Sequence, residues 1–194
     1  MPTFNRAAYI AQSVASVLGQ TRPPAQMVVV DDGSTDDTAA ILDRYRDRIE
    51  YLRKENGGKS SALNLAFQHV RQPFVWIFDD DDIALPDAIE RHLSILENQA
   101  DVDFTYSGFR KLYRDGDRWR LSSRLFEFDS VPDREMFPSL LLDCAMTQQG
   151  MMVRRKCYDE VGPFETTLIR AQDYEMLLRL SRQFRGARVE RRRP

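Results

Sequence analysis

An α/β domain built on a mostly parallel sheet with helices on both faces is the fold this sequence predicts. Three observations carry it. Through the first half of the chain, apolar runs of strand length alternate with segments of helical periodicity. Two of the runs, Val28–Val30 and Phe74–Phe78, lead directly into aspartates, Asp31-Asp32 and Asp79 to Asp82. Neither run alternates with polar residues, which suits strands covered on both faces. Four adjacent carboxylates cannot follow such a strand into the core, so they emerge at its carboxyl edge, and parallel strands place both clusters at one edge of the sheet. In open α/β sheets that edge is where ligands bind.

Taken in order, Met1 to Arg6 reads as a loop with Asn5 as a helix cap, and Ile10, Val14, Val17 and Leu18 recur at helical spacing, predicting a helix over 6–19. Gly19 to Pro24 ends it. Met27–Val30 is a strand, Thr35 can cap the helix lined by Ile41, Leu42 and Tyr45, and Ile49–Arg53 is a further strand. Asn56-Gly57-Gly58 is a turn before a helix lined by Leu63, Ala66, Phe67 and Val70. After the acid-tipped strand, Pro86 is placed as the first residue of a helix running to Glu97. The second half is less regular: strands over 102–107 and 109–113, a hairpin turn at 115–117, an irregular loop over 122–133, a weak helix over 135–143 interrupted by Pro138, a strand over 150–154, a strong helix over 170–183 and a frayed basic end.

Net charge is −2, which gives no case for nucleic-acid binding, and no apolar run is long enough to span a bilayer. There is no secretory signal pattern at the start, so the expected location is cytoplasmic, with any membrane association peripheral, at the inner face. Cys144 and Cys157 read as reduced thiols, and His69 and His92 are isolated in helical segments, without metal-like spacing.

Two readings of the motifs stand side by side. Gly57-Gly58-Lys59-Ser60 between a strand and a helix imitates a phosphate-binding loop, the mark of a kinase or NTPase, but that pattern needs a glycine where Arg53 stands. The oxygen ligands at 79–82 suit a hard divalent cation, Mn²⁺ or Mg²⁺, and hence a phosphate ligand, with Lys59 available to neutralise a diphosphate or simply solvated in its turn. Asp31 and Asp32 either cap a turn or accept a hydrogen bond from a base or ribose, and Phe4 is either core or a stacking surface.

Together, Pro2-Thr3-Phe4-Asn5-Arg6, Val28-Val29-Val30-Asp31-Asp32-Gly33-Ser34-Thr35-Asp36, Phe78 to Asp82 with Leu85-Pro86, and Val161-Gly162-Pro163-Phe164 with Gln172-Asp173-Tyr174-Glu175 resemble the family-two glycosyltransferases in order and approximate spacing. The resemblance implies a GT-A type nucleotide-binding sandwich, residues 1–100 forming the nucleotide-sugar half and 101–194 a smaller acceptor-side half. It implies transfer of a sugar, with inversion, from a nucleotide sugar of the UDP class to a carbohydrate or lipid-linked acceptor. Pro2, Phe4 and Arg6 would then lie along the nucleotide, Asp31 or Asp32 would contact uracil or ribose, and Asp79 to Asp81 would form the D-x-D element. Asp81, with Asp79, would hold the metal, Asp80 would approach the ribose, and Asp173 would be the general base. Two departures stand out: the apolar strand that usually precedes the Pro-Thr-Phe-Asn-Arg element is missing ahead of Met1, and Gln172 occupies a position where an acid is common. A non-catalytic nucleotide- or metal-binding module is the alternative those departures raise, beside the P-loop reading.

Overall fold

The computed structural model describes residues 1–116, 118–128, 133–142 and 146–190. Cys144, part of the 122–133 loop and the last basic residues lie outside them. The first half contains β1 (Pro2–Thr3), α1 (Ile10–Leu18), β2 (Val28–Asp31), α2 (Thr38–Leu42), β3 (Glu50–Arg53), α3 (Lys59–His69), β4 (Phe74–Trp76) and α4 (Ala88–Asn98). The second contains β5 (Phe104–Tyr106), β6 (Phe109–Asp115), β7 (Arg118–Phe126), α5 (Asp133–Leu142), β8 (Met151–Arg154), α6 (Arg155–Val161), α7 (Gln172–Gln183) and β9 (Gly186–Arg188).

β1, β2 and β3 form a parallel sheet in that order, with Pro2 opposite Val30 and Val28 opposite Glu50. A second sheet has the order β4-β8-β5-β9; β8 runs antiparallel to both neighbours, and β9 is parallel to β5. β6 and β7 form a separate two-stranded ribbon.

The pleat of β2 explains its uninterrupted apolar sequence. Val29 packs with Ile10, Val14, Val17 and Leu18 of α1 and with Leu42, while Val28 and Val30 pack against Ala62 and Ala66 of α3. Alternate side chains therefore meet helices on opposite faces, and a polar residue at any of the three would be buried unpaired. The largest core lies in the second half, where Phe104, Tyr106, Met151 and Val153 meet Met136 and Leu140 of α5 and Met176, Leu177 and Leu180 of α7.

β1 is only two residues long. Its backbone continues the pairing at both ends: Val30 N–H donates to Met1 O at 2.9 Å and Asp32 N–H to Thr3 O at 2.8 Å. The Met1 amino group donates to Val28 O at 2.8 Å. Below it, a slot of about 310 Å³ opens between β2 and β4, lined by Met27, Val28, Leu63, Val75 and Ile77 among others.

Several local expectations are corrected. Asn5 caps no helix; it sits at φ 53° and turns its side chain to Thr35, whose N–H donates to Asn5 Oδ1 at 2.8 Å. α1 begins at Ile10, after a turn. Thr35 caps no helix: α2 begins at Thr38, after Asp37, and Asp36 Oδ1 accepts from Thr38 N–H at 3.0 Å in the turn ahead of it. Pro86 precedes α4 by two residues, its carbonyl accepting from Thr21 N–H. The expected irregular loop begins instead as strand, because β7 continues to Phe126. α6 and β9 had no clear sequence signal; β9 is three residues with no alternation, and its strand identity comes from pairing with β5.

Candidate active site at the carboxyl edge of the sheet

Three strand ends build the rim. The chain leaving β1 is stitched to the loop leaving β2: Asn5 N–H donates to Ser34 Oγ at 2.9 Å, Arg6 N–H to Thr38 Oγ1 at 2.9 Å and Ala7 N–H to Asp36 Oδ2 at 3.0 Å. This leaves Phe4 44% exposed, an open aromatic face rather than a core residue.

At the end of β2, the two aspartates turn inward. Asp31 is fully buried; its carboxylate accepts from Ser34 N–H at 2.7 Å and from the Tyr51 hydroxyl at 2.7 Å. Burial, then the hydrogen bond to Asp31, pushes the Tyr51 hydroxyl up to about 12, so it stays a donor. Asp32 accepts from Lys54 Nζ at 2.7 Å and from the N–H groups of Gly57 at 3.0 Å and Gly58 at 2.7 Å. Gly33 makes the turn possible: it has φ 86°, and an added Cβ would lie 3.0 Å from Asn56 N. These contacts also dispose of the phosphate-loop imitation. The Gly57 and Gly58 amides, which such a loop aims at phosphate, aim here at Asp32.

At the end of β4 the acids are less enclosed. Lys59 Nζ lies 2.7 Å from Asp79 Oδ1, and Gln149 Nε2 donates to Asp79 Oδ2 at 2.5 Å. Arg6 reaches across from the first loop, Nε 3.4 Å from Asp80 and Nη2 3.7 Å from Asp81. The Asp81 side chain is 46% exposed, the most open of the pairs Arg6 makes. Burial raises the Asp80 carboxyl, Asp81 and Asp79 adding to the effect while Arg6 opposes it. Burial, followed by the charges of Asp79 and Asp81, raises Asp82 to about 6. The cluster thus holds more negative charge than its neighbours neutralise, the condition in which a cation is welcome.

Among the described residues, no three His, Cys, Asp or Glu side chains converge on one point as a protein-only metal site would require. The donor set still suits a hard cation bound together with a phosphate ligand, because Mg²⁺ and similar ions take one or two carboxylates and complete their shell with phosphate oxygens and water. Asp81 is the open carboxylate and Asp79 its engaged neighbour.

Asp173 occupies the second position of α7, two residues after Ala171, a non-glycine residue at φ 62°. Its Oδ1 accepts from Tyr174 N–H at 2.9 Å. The route from the rim to α7 runs through Gln149: its side chain holds Asp79, its carbonyl accepts from Trp76 Nε1 at 2.6 Å, and its 3-10 turn, Gln148–Gly150, packs on α7. A second link joins α3 to the Val161–Phe164 segment, where Asn64 both donates to Phe164 O at 2.9 Å and accepts from its N–H at 2.8 Å. Arg179 of α7 closes this link by donating to Val161 O at 2.7 Å and Pro163 O at 2.9 Å.

Of the residues expected at the site, Arg6, Lys59, Asp79, Asp80 and Asp81 are joined by ion pairs across the rim. Pro2 lies in β1 and Phe4 follows it, while Asp31 and Asp32 share the rim with their carboxylates engaged inward. Sequence reading missed Lys54, Asn64 and Gln149. Lys54 follows β3 and so reaches the same edge, which its position alone implies; Gln149 lies 70 residues from Asp79 and carries no local signal. The histidines serve elsewhere: His69 Nδ1 is 2.6 Å from Glu50, and buried His92 is 2.8 Å from Thr105 Oγ1. Cys157 is fully buried, and burial pushes its thiol up to about 12.

The family model described as glycosyl transferase family 2 matches residues 1–162. The chain belongs to glycosyl transferase family 2. An uncharacterized glycosyltransferase of Rickettsia felis is 32% identical over 188 residues, covering 94% of this chain and 31% of that protein. Chondroitin synthase of Escherichia coli is 29% identical over 184 residues, covering 93% of this chain and 26% of its own. Among solved structures, S. aureus TarS in complex with UDP-GlcNAc superposes with a TM-score of 0.76 at 20% identity, covering 98% of this chain and 55% of that one. The mannosyltransferase PcManGT from Pyrobaculum calidifontis, in complex with GDP-Man and Mn²⁺, superposes at 0.70 and 20% identity, covering 96% and 52%. These likenesses establish the GT-A type α/β fold. The chain spans about a third of the first of these family 2 relatives, 31%.

Proposed function

We propose that this family 2 chain is the donor-binding and catalytic region of an inverting glycosyltransferase, transferring a sugar from a UDP-sugar to a hydroxyl of a carbohydrate or lipid-linked acceptor. The observation that carries the reading is the rim itself: an open carboxylate cluster at the end of β4, tied by Arg6 to the segment that carries Phe4 and by Lys59 to the start of α3. The bound nucleotide sugars of the two structural neighbours support the donor class. Residues 1–100 act as the nucleotide-sugar half and 101–194 as the acceptor-side half.

In this reading Phe4 stacks on the base, Pro2 and Asp32 border the nucleoside, and Asp80 approaches the ribose. Asp31 acts from behind, fixing the turn that presents Asp32. Asp81 and Asp79 would hold Mn²⁺ or Mg²⁺, a role supported by the open Asp81 carboxylate, by the crowding of acids beside it and by the Mn²⁺ in one structural neighbour. The ion would balance the negative charge that develops on the departing diphosphate. Lys59 and Arg6 supply further positive charge at the same place. Asp173 takes the proton of the acceptor hydroxyl as its oxygen attacks the anomeric carbon; the bond from that carbon to the diphosphate oxygen breaks on the opposite face, which inverts the configuration.

Calorimetric titration with UDP in Mn²⁺, followed by donor hydrolysis or transfer assays, tests this. Asp173→Asn is expected to keep UDP binding within about twofold and lose at least about 10²-fold in turnover. Binding without turnover in the parent chain would instead identify a non-catalytic nucleotide module.

A further inference from the structure

The β6–β7 ribbon differs from the rest of the molecule in both charge and exposure. Residues 109–126 carry six cations, Arg110, Lys111, Arg114, Arg118, Arg120 and Arg124, against two acids, in a chain whose net charge is −2. Asp115 pairs with one of them, Arg120. Large apolar side chains share the same ribbon: Leu112 is 42% exposed, Tyr113 51%, Trp119 48% and Leu121 58%. The register sets Leu112 opposite Leu121 and Arg114 opposite Trp119, so two leucines and an indole lie on one face with a guanidinium beside them. Tyr113 and Arg120 pair on the other face.

A lone two-stranded ribbon is marginal in water, and this one leaves apolar area bare. The chemistry of the strip selects its partner. A soluble polyanion would neutralise the arginines but leave Leu112 and Leu121 in water. An apolar protein surface would cover the leucines but strand the cations. The interface of an anionic bilayer takes both kinds of group: Leu112 and Leu121 enter the acyl boundary, Trp119 rests at the headgroups, and Arg114 beside it, with the long side chains along the ribbon's margins, extends to the phosphates.

We propose that the β6–β7 ribbon docks this protein on an anionic lipid surface. The ribbon also reaches the site. Trp119 meets Tyr9 edge-on with ring centroids 6.4 Å apart, and Tyr9 N–H donates to Arg6 O at 2.9 Å, within one turn of the acidic rim. Docking through the ribbon therefore holds the rim close to the lipid surface. No helix among the described residues is long and apolar enough to cross a membrane, so their contact with lipid is a surface contact.

The test reads lipid binding alone, in the absence of nucleotide sugar, so its failure leaves the donor reading untouched. The chain is sedimented with phosphatidylcholine vesicles containing about 30% phosphatidylglycerol, and with vesicles of phosphatidylcholine only. Binding is expected to the anionic vesicles alone, falling at least ~10-fold when NaCl is raised from about 0.1 M to about 0.5 M. Lys111→Glu/Arg118→Glu is expected to lose at least ~10-fold in partitioning, while Leu112→Ser/Leu121→Ser loses binding without any change in charge. Brominated lipid should quench the indole fluorescence of the parent chain much more than that of Trp119→Ser, which retains only Trp76, partly buried and bound to Gln149 O away from the ribbon; circular dichroism and Tm confirm that each variant folds. Equal binding to both vesicle types, unchanged binding in the charge-reversed variant, or capture of a soluble acidic polysaccharide in place of vesicles would overturn the proposal.

Discussion

The two aspartate clusters, one at the end of β2 and one at the end of β4, look alike in sequence and differ in the structure. Asp31 and Asp32 are buried, and every contact just described satisfies them from within: a loop amide, a tyrosine hydroxyl, a lysine and two glycine amides. Asp79 to Asp82 crowd four acids into one turn, with Lys59, Gln149 and Arg6 as partners, and leave the Asp81 side chain 46% exposed. The first cluster spends its charge on shaping a loop. The second keeps an open carboxylate at the surface, the one proposed to meet the ligand. A run of acids at a strand end is therefore a functional signal only when the backbone and its neighbours fail to satisfy it.

That difference can be broken by substitution. The largest expected effect is on activity: Asp81→Asn should reduce sugar transfer by at least about 10²-fold while leaving Tm nearly unchanged, read by a transfer assay beside thermal unfolding. Asp31→Ala should do the reverse. It strands the Ser34 amide and the Tyr51 hydroxyl in the interior, at a cost of roughly 2–4 kcal/mol read by urea unfolding. If Asp31→Ala left stability intact, the proposed division between the clusters would fail.

A smaller effect comes from His92, buried against Thr105, where burial and then Arg91 hold the imidazole down at about 4. Its folded value lies below the unfolded one of about 6.5, so the unfolded chain binds the extra proton between the two, and stability is lost as pH falls through that window. The loss is on the order of 2–3 kcal/mol at pH 4, and His92→Gln should flatten the dependence of Tm on pH there. The smallest effect concerns the slot beside β4. An extended apolar segment of about four residues placed ahead of Met1 would continue β1 between β2 and β4, and is expected to raise Tm by several degrees, about 1–2 kcal/mol. No rise would mean that the slot is not shaped for a strand.

Much of this was legible in the sequence because strands covered on both faces announce themselves. Val28–Val30 and Phe74–Phe78 gave the two strands and the acids at their ends, and the spaced signatures gave the family; the single parallel sheet expected to hold both did not follow, since β2 lies in the β1-β2-β3 sheet and β4 pairs antiparallel with β8 in a second one. What escaped depends on contacts remote in sequence. β9 is strand only because β5 pairs with it, and Gln149 reaches Asp79 across 70 residues. Asn5 had the residue type of a helix cap, but the neighbouring loop at 34–36 offered its side chain better partners than the turn ahead of α1. The inward engagement of Asp31 and Asp32 was equally hidden, since Tyr51 comes from β3 and Lys54 from the residue just beyond it.

A crystal structure of the chain soaked with UDP and Mn²⁺ tests the central claim most directly. The ion is expected on the Asp81 carboxylate together with diphosphate oxygens, with Asp31 still bound to Ser34 and Tyr51. An ion seated on Asp31 or Asp32, or a diphosphate bound away from the end of β4, would contradict it.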